Sequence, residues 1–383
     1  MDPLFIAIIV AVFTLIVLFS GIPIAFGLSF VSIALLVAFE GFQMLDVFAE
    51  TFYAGLNSFV LLSIPMFILM GMAVANSPAG KDLYTGLDRW LWRLPGGLVI
   101  SNIGACSIFA ALSGSSPATC AAIGTMGIPE MRKRGYSDQI ATGTIAAGGT
   151  LGVLIPPSIV LIVYGIATGT SIGRLFLCGL VPGFMLAGMF AIWALIHSYF
   201  IDKDSAKALK NRTPPTLKEK IEVLPRILPF LAIIAGVLYV LYGGVATPSE
   251  ASGVGAFLVF VLIAVVYKIY QPKKIWNIVK VSMKESVMIM FIIAASYLFA
   301  FTLSQLYVTQ SLAQSMVELS SNKWVVFILI NIFLLIAGFF LPPVAVIVMT
   351  SAILLPVITQ LGFDPYWFAI VFTINMEIGL ITP

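Results

Sequence analysis

Four stretches of this chain combine glycine, proline and hydroxyl residues inside otherwise apolar sequence. The first is Ser113-Gly114-Ser115-Ser116-Pro117-Ala118-Thr119. The second is Gly148-Gly149-Thr150-Leu151-Gly152-Val153-Leu154-Ile155-Pro156-Pro157-Ser158. The third is Gly338-Phe339-Phe340-Leu341-Pro342-Pro343, and the fourth is Asn375-Met376-Glu377-Ile378-Gly379-Leu380-Ile381-Thr382-Pro383. Proline removes a backbone donor and blocks the carbonyl four residues back. Glycine lets the freed turn unwind. In hydrocarbon, each unpaired amide or carbonyl costs several kcal/mol unless something satisfies it. A bound cation satisfies carbonyls, and the positive N-termini of half-helices suit an anion. Serine and threonine hydroxyls add neutral ligands. Taken in pairs, the clusters give two candidate sodium sites with room for an anionic substrate between them. The competing reading is that small residues and prolines only permit close helix packing or kinks. The paired, repeat-related placement set out below weighs against it.

Other chemistries find little support. His197 is the only histidine, so neither a histidine-based triad nor a multi-histidine metal site can be built. Cys106, Cys120 and Cys178 lie in apolar stretches without C-x-x-C spacing and read as small hydrophobes. The sequence has no G-x-x-x-x-G-K-[ST] and no G-x-G-x-x-G, so a nucleotide engine is not expected. No redox cofactor or catalytic activity is expected either. Of the acids at depth, Glu250 follows Pro248 and reads as an N-terminal helix carboxylate favoured by the dipole. Glu377 stands open between orienting unwound backbone and a structural bond.

The elements that must position these clusters follow from composition. Apolar types make up 60% of the 383 residues, and the 20 Lys/Arg and 17 Asp/Glu together only 10%. A soluble domain carries about 25% charged residues. An ordinary soluble protein, a disordered chain and a nucleic-acid binder are excluded, and the solvent must be lipid. The N-terminus lacks the basic start of a secretory signal, so 4–19 reads as a retained helix. Lys and Arg concentrate in 77–95, at Arg132-Lys133-Arg134, in 199–226 and in 268–284, leaving only Arg174 and Lys323 elsewhere. The positive-inside rule places those four loops in the cytoplasm. Helices are predicted near 4–20, 24–39, 55–76, 175–198, 227–242, 251–267 and 285–305. Segment 96–128 is too long for one span, yet basic loops flank it on both sides, so it must enter and leave from one face. Segment 324–360 behaves alike from the opposite face. Segment 306–320 reads as an amphipathic surface helix.

The two halves align at a nearly constant offset. Ile128-Pro129 matches Leu355-Pro356, Gly135-Tyr136 matches Gly362-Phe363, and Gly152 matches Gly379, all 227 residues apart. Pro117 matches Pro343 and Pro157 matches Pro383 at 226. Five spans separate equivalent points, and an odd number inverts the second copy. The predicted fold is therefore an all-α polytopic membrane protein of inverted-topology repeats with two re-entrant helical hairpins and broken helices. Residues 1–198 form the first repeat, with hairpin 96–128 and broken helix 139–169. Residues 199–226 form a cytoplasmic connection. Residues 227–383 form the second repeat, with hairpin 324–360 and a broken helix from 366. Inverted repeats with broken helices are the signature of secondary transporters that bind substrate near the midplane.

At these clusters the sequence resembles the large membrane subunit, the DctM-like family, of tripartite ATP-independent periplasmic (TRAP) transporters. The most specific stretches are LSGSSPATCAAIGTMGIPEMRKRGYSDQIATG (112–143), GGTLGVLIPPSIVLIVYG (148–165) and INMEIGLITP (374–383), supported by TPSEASG (247–253) and LFLCGLVPG (175–183). The resemblance implies an elevator-type, sodium-coupled importer of organic acids in a bacterial or archaeal inner membrane. A small four-helix membrane subunit would scaffold it, and a periplasmic substrate-binding protein would deliver the substrate. Two or more transported sodium ions are implied. Carried onto this chain, one sodium site would involve Ser113, Gly152, Ile155 and Pro156. The other would involve Gly338, Gly379 and Thr382. Ser115, Ser116, Thr119, Ser158 and Asn375 are the candidates for substrate contact. The sequence departs from the family in two places. Members usually continue past Thr-Pro-Pro with at least one more helix, whereas this sequence stops at Pro383. Ala110 also stands where some relatives have a hydroxyl. Leu341-Pro342-Pro343 with NMEIGLITP looks most like the C4-dicarboxylate branch. Sialic acid, other sugar acids and keto acids are alternatives, as is a non-transporting scaffold subunit.

Overall fold

The computed structural model describes residues 3–92, 97–200, 214–318 and 322–382. Arg93, residues 201–213 of the connecting segment and Pro383 lie outside them. Every regular element among the described residues is helical, as a chain dissolved in hydrocarbon requires, since a helix pairs its backbone groups within one segment. The first half holds α1 (Pro3–Phe19), α2 (Ile24–Glu40), α3 (Leu45–Leu56), α4 (Ser63–Ala75) and α5 (Ala79–Trp90). There follow α6 (Gly97–Ser113), α7 (Ser116–Lys133), α8 (Asp138–Leu154), α9 (Ile159–Thr168) and α10 (Ile172–Phe200). The second half holds α11 (Leu217–Tyr242), α12 (Pro248–Tyr267), α13 (Pro272–Gln305) and α14 (Val308–Glu318). It ends with α15 (Lys323–Phe340), α16 (Pro343–Gln360) and α17 (Pro365–Ile381). Among the described residues seven helices are long and apolar enough to cross a membrane, or eight with one bent pair. The chain is polytopic.

The repeat offset reappears in the elements. From α5 to α14, α6 to α15, α7 to α16 and α8 to α17, starts are separated by 226 to 229 residues. Likewise α3 and α13 start 227 residues apart. The first copy then breaks after Leu56. The second copy runs on as one helix of 34 residues. The predicted surface helix 306–320 appears as α14. Its counterpart α5 lies in 77–95, which the sequence offers as a basic loop. There the charges of Lys81, Asp82 and Arg89 mask a buried side formed by Ala79, Leu83 and Tyr84.

The helices divide into two compact units. One comprises 1–62, 160–175 and 284–383, and the other 63–159 and 176–283. Each unit thus takes helices from both halves of the sequence. In the first, Val10, Leu28, Val31, Ala295, Leu303 and Ala345 belong to one continuous apolar cluster. In the second, every residue of α8 from Gly148 to Leu154 is buried, against 22% of the most apolar stretch of α10. The end of α8 is therefore a core element, whereas α10 turns most of its surface outward to lipid. Glu250 takes the place expected of it, closing a capping box with Thr247 at the start of α12, which satisfies two orphan amides.

At its polar end the second unit is held by charge. Arg134, just past α7, makes two 3.2 Å hydrogen bonds to Asp88 of α5 and two, of 2.7 and 3.0 Å, to Glu130. Burial works against its charge, but Asp88 and then Glu130 outweigh that and hold the guanidinium above its ordinary value. Asp82 accepts from Tyr267 of α12 at 2.9 Å and from Arg226 of α11 at 3.5 Å. The Asp88 side chain is only 13% exposed, whereas the shorter Arg132–Asp138 bridge (2.6 Å) joins side chains 55% and 69% exposed. Exposed pairs contribute little, and breaking a desolvated one strands its partner. Asp88→Asn is accordingly expected to destabilise the chain by about 2 kcal/mol, and Asp138→Asn by less than about 1 kcal/mol. Thermal unfolding of the two variants in detergent micelles checks the order.

Candidate functional site

The first site is built in the second unit. Helix α6 stops at Ser113, and Gly114, at a φ of 60°, makes the reversal into α7 that a side chain would oppose. Two residues join α6 to α7, and the two helices form the first hairpin. Opposite its tip, α8 stops at Leu154, and Ile155 to Ser158 carry the chain in non-helical form to α9. The amide of Ile159 reaches back 3.3 Å to the carbonyl of Gly114. The tip and the break are pressed together by glycines. A Cβ on Gly152 would stand 2.7 Å from the carbonyl oxygen of Ser115. A Cβ on Gly71 of α4 would stand 2.7 Å from the Cα of Ser113, and one on Gly114 would stand 2.7 Å from the carbonyl oxygen of Pro157. Inside this clamp the hydroxyls of Ser113 and Thr119 are 2.9 Å apart, and Thr119 donates to the Ser115 carbonyl at 2.9 Å.

The second site is built in the first unit. Helices α15 and α16, joined through Leu341-Pro342, form the second hairpin. Gly338, in the last turn of α15, lies face to face with Gly379 in the last turn of α17. A Cβ on Gly379 would stand 2.6 Å from the Gly338 carbonyl carbon. One turn back, Asn375 donates to Asn331 of α15 at 2.6 Å and to the Val371 carbonyl at 3.0 Å. Thr382 caps α17 and donates to the Ile378 carbonyl at 2.6 Å. Glu377 is buried in the same helix.

One backbone rule runs through all four clusters. Ser113, Gly152, Gly338 and Gly379 stand four residues before Pro117, Pro156, Pro342 and Pro383. The amide that a helix would offer each carbonyl is therefore a proline nitrogen with no hydrogen to give. In the second and third clusters the next carbonyls, of Val153 and Phe339, face Pro157 and Pro343 in the same way. Proline alone does not end a helix here, because Pro129, Pro182, Pro225, Pro229 and Pro356 all lie inside continuous helices. None of those five prolines has glycine four residues before it, whereas Gly152, Gly338 and Gly379 stand before Pro156, Pro342 and Pro383 with a second backbone against them. What such a place can do is hold a cation on carbonyl and hydroxyl oxygen. No group of three His, Cys, Asp or Glu able to hold a metal occurs among the described residues. The ligand set on offer is neutral and hard, and so suited to a singly charged ion.

The structure brings Ser113, Ser115, Ser116 and Thr119 to one tip and sets Gly152, Ile155, Pro156 and Ser158 opposite. It brings Gly338, Asn375, Gly379 and Thr382 to the other pair of helix ends. Of the expected substrate contacts, Ser115 is half-buried, while Ser116, Thr119, Ser158 and Asn375 are buried. Thr119 is bound up with Ser113 and belongs to the same oxygen cluster. Two residues enter that the sequence reading missed. Gly71 sits in an apolar helix with nothing local to distinguish it. Asn331 was legible as a lone amide within the apolar run 324–360. The close approaches fix a prediction. Replacing glycine by alanine inside a helix normally gains about 1 kcal/mol, but overpacking against backbone that cannot yield costs about 1–3 kcal/mol. Gly152→Ala and Gly379→Ala are expected to lower the unfolding temperature. Gly143→Ala, which meets open space, is expected to hold or raise it.

The geometry has counterparts among known proteins. The family model described as "Tripartite ATP-independent periplasmic transporter, DctM component" matches residues 9–383. The C4-dicarboxylate TRAP transporter large permease protein DctM of Pseudomonas aeruginosa is 37% identical over 325 residues, covering 85% of this chain and 75% of that one. The isethionate TRAP transporter permease protein DctMQ of Oleidesulfovibrio alaskensis is 34% identical over 363 residues. That match covers 95% of this chain, which spans only 56% of that longer relative. Among solved structures, the Alcanivorax borkumensis YdaH transporter, described as having an unusual topology, aligns with a TM-score of 0.63 over 90% of this chain and 79% of its own. At 12% identity that likeness speaks for the fold alone.

Proposed function

The chain belongs to the DctM component family of tripartite ATP-independent periplasmic transporters, and from that premise we propose that it couples inward sodium flow to uptake of an organic acid. It is the large permease subunit, an integral protein of the inner membrane. The observation that carries the coupling is the pair of glycine-walled helix breaks. At each, a carbonyl has lost its helical amide to a proline four residues on. Ser113, Gly152, Ile155 and Pro156 would supply oxygen to one sodium ion, and Gly338, Gly379 and Thr382 to the other. A cation relieves the cost of backbone left bare in hydrocarbon. An acidic substrate is then attracted to that charge and to the half-helix N-termini. Serines 115, 116 and 158 and Asn375 are the residues proposed to meet it, with Thr119 shared between the two tasks.

In the proposed topology the basic segments face the cytoplasm, and the two hairpins enter from opposite faces. The hairpins and broken helices move as an elevator body. A small four-helix membrane subunit steadies the remainder, and a periplasmic binding protein hands over the substrate. Each net positive charge carried inward gains about 2.3 kcal/mol per 100 mV, so an excess of sodium over substrate charge makes uptake voltage-assisted. The Pseudomonas aeruginosa relative favours a C4-dicarboxylate as substrate.

Reconstitution with the cognate small subunit and binding protein tests the reading. Uptake from a panel of C4-dicarboxylates, sialic acid and keto acids is expected only under an inward sodium gradient. It is expected to fall at least tenfold in Ser113→Ala and in Thr382→Ala. Equal uptake in potassium alone overturns the coupling. Unchanged uptake in both variants favours a scaffold that does not itself bind the ions.

A further inference from the structure

The helices of the first unit enclose a cavity of about 470 Å3. Its walls come from α1, the end of α13, α14 and both arms of the second hairpin. Apart from Thr14 and Thr350 every lining residue is apolar. Thr350 spends its hydroxyl on the Val346 carbonyl at 2.7 Å. Thr14 is only 5% exposed, and its hydroxyl has no hydrogen-bond partner. That oxygen is packed in and not presented to the cavity, so the space offers a ligand only apolar surface.

Three occupants can be compared. Water needs two to four polar partners and does not fill an apolar cavity. A protein helix about 10 Å wide, rising 5.4 Å per turn, needs roughly 400 Å3 for each turn, so the space takes little more than one turn. A single acyl chain is narrow, flexible and apolar, and it fits a wall that offers no polar group. The open side of the cavity favours the same occupant. It is rimmed by Ala11, Leu15, Phe19 and Phe340, which are exposed on helices whose solvent is hydrocarbon. At one end of the rim Phe19 and Phe340 meet edge to face at 5.4 Å.

We propose that this cavity binds one acyl chain of a membrane phospholipid. Ala337, Phe340 and Leu341 form part of the wall and flank Gly338. The lipid chain therefore backs the arm that carries one candidate cation carbonyl, and its presence resists movement of that hairpin. This consequence for the hairpin rests on the function proposed above; the binding itself does not.

The test uses the full chain in nanodiscs of phosphatidylethanolamine and phosphatidylglycerol, doped with a phospholipid bearing a diazirine on one acyl chain. Cross-linked peptides are mapped by mass spectrometry with no transport measurement. Adducts are expected on residues 7–18 and 333–353 at least fivefold above those on Val261 and Val265 of α12, which are exposed to lipid without a cavity. Ala11→Trp, at the rim, is expected to reduce the cavity adducts at least fivefold without displacing packed neighbours. Adducts spread evenly over all lipid-facing helices overturn the proposal. So do cavity adducts unchanged in Ala11→Trp, and so does a cavity that stays unlabelled because a protein segment fills it.

Discussion

A carbonyl inside a membrane helix depends on the amide four residues on, and proline at that position has none to offer. Ser113, Gly152, Gly338 and Gly379 all face that deficit, and at Gly379 the Thr382 amide takes up the carbonyl at 3.2 Å. Water would cover it in a soluble protein, but lipid cannot. Everything around the four positions follows from managing it. Glycines bring a second backbone to within contact of the bared one, hydroxyls collect at the first tip, and an amide pair stands behind the second. The residues that accomplish this are small and neutral, so the sites are shaped by backbone more than by side-chain chemistry.

The same constraint explains how the two units are packed. In each, a hairpin tip is set against the end of a helix from the same repeat copy, and the contact is too close for a Cβ. The first tip is fixed on three sides, by Gly71, Gly152 and the carbonyl of Pro157. The second tip is fixed on its α17 side, while its back forms the wall of a cavity. The hairpins are alike in sequence position but not in support. The polar lattice of Arg134, Asp88 and Asp82 strengthens only the unit that carries the first.

Much of this was legible before any coordinates. Three of the four Gly-Pro-Ser clusters marked helix breaks to within a residue or two, because proline and glycine act locally; in the fourth, Asn375 to Ile381 stay helical in α17. The offset of 227 between Gly152 and Gly379 anticipated the matching of α5 to α8 with α14 to α17. Glu250 announced its cap by standing three residues after Thr247. What stayed hidden depends on distant packing. Helix α5 carries its apolar face among Lys81, Asp82 and Arg89, so charge counting reads it as a loop. The break between α3 and α4 has no counterpart in α13, and only the fold reveals which copy breaks. Gly71 is one of 32 glycines, and its role appears only once Ser113 is seen against it. The compact units interleave the halves because contacts, unlike repeats, do not respect sequence order.

If bared carbonyls are completed by sodium, the folded chain must be the form that binds it, and binding to the native state alone raises stability with ligand concentration. A sodium titration of the unfolding temperature of the purified chain, at constant ionic strength balanced with potassium, is the most direct measurement. The account predicts a rise with sodium that saturates and that is diminished in Ser113→Ala. A temperature indifferent to the exchange of sodium for potassium would contradict it.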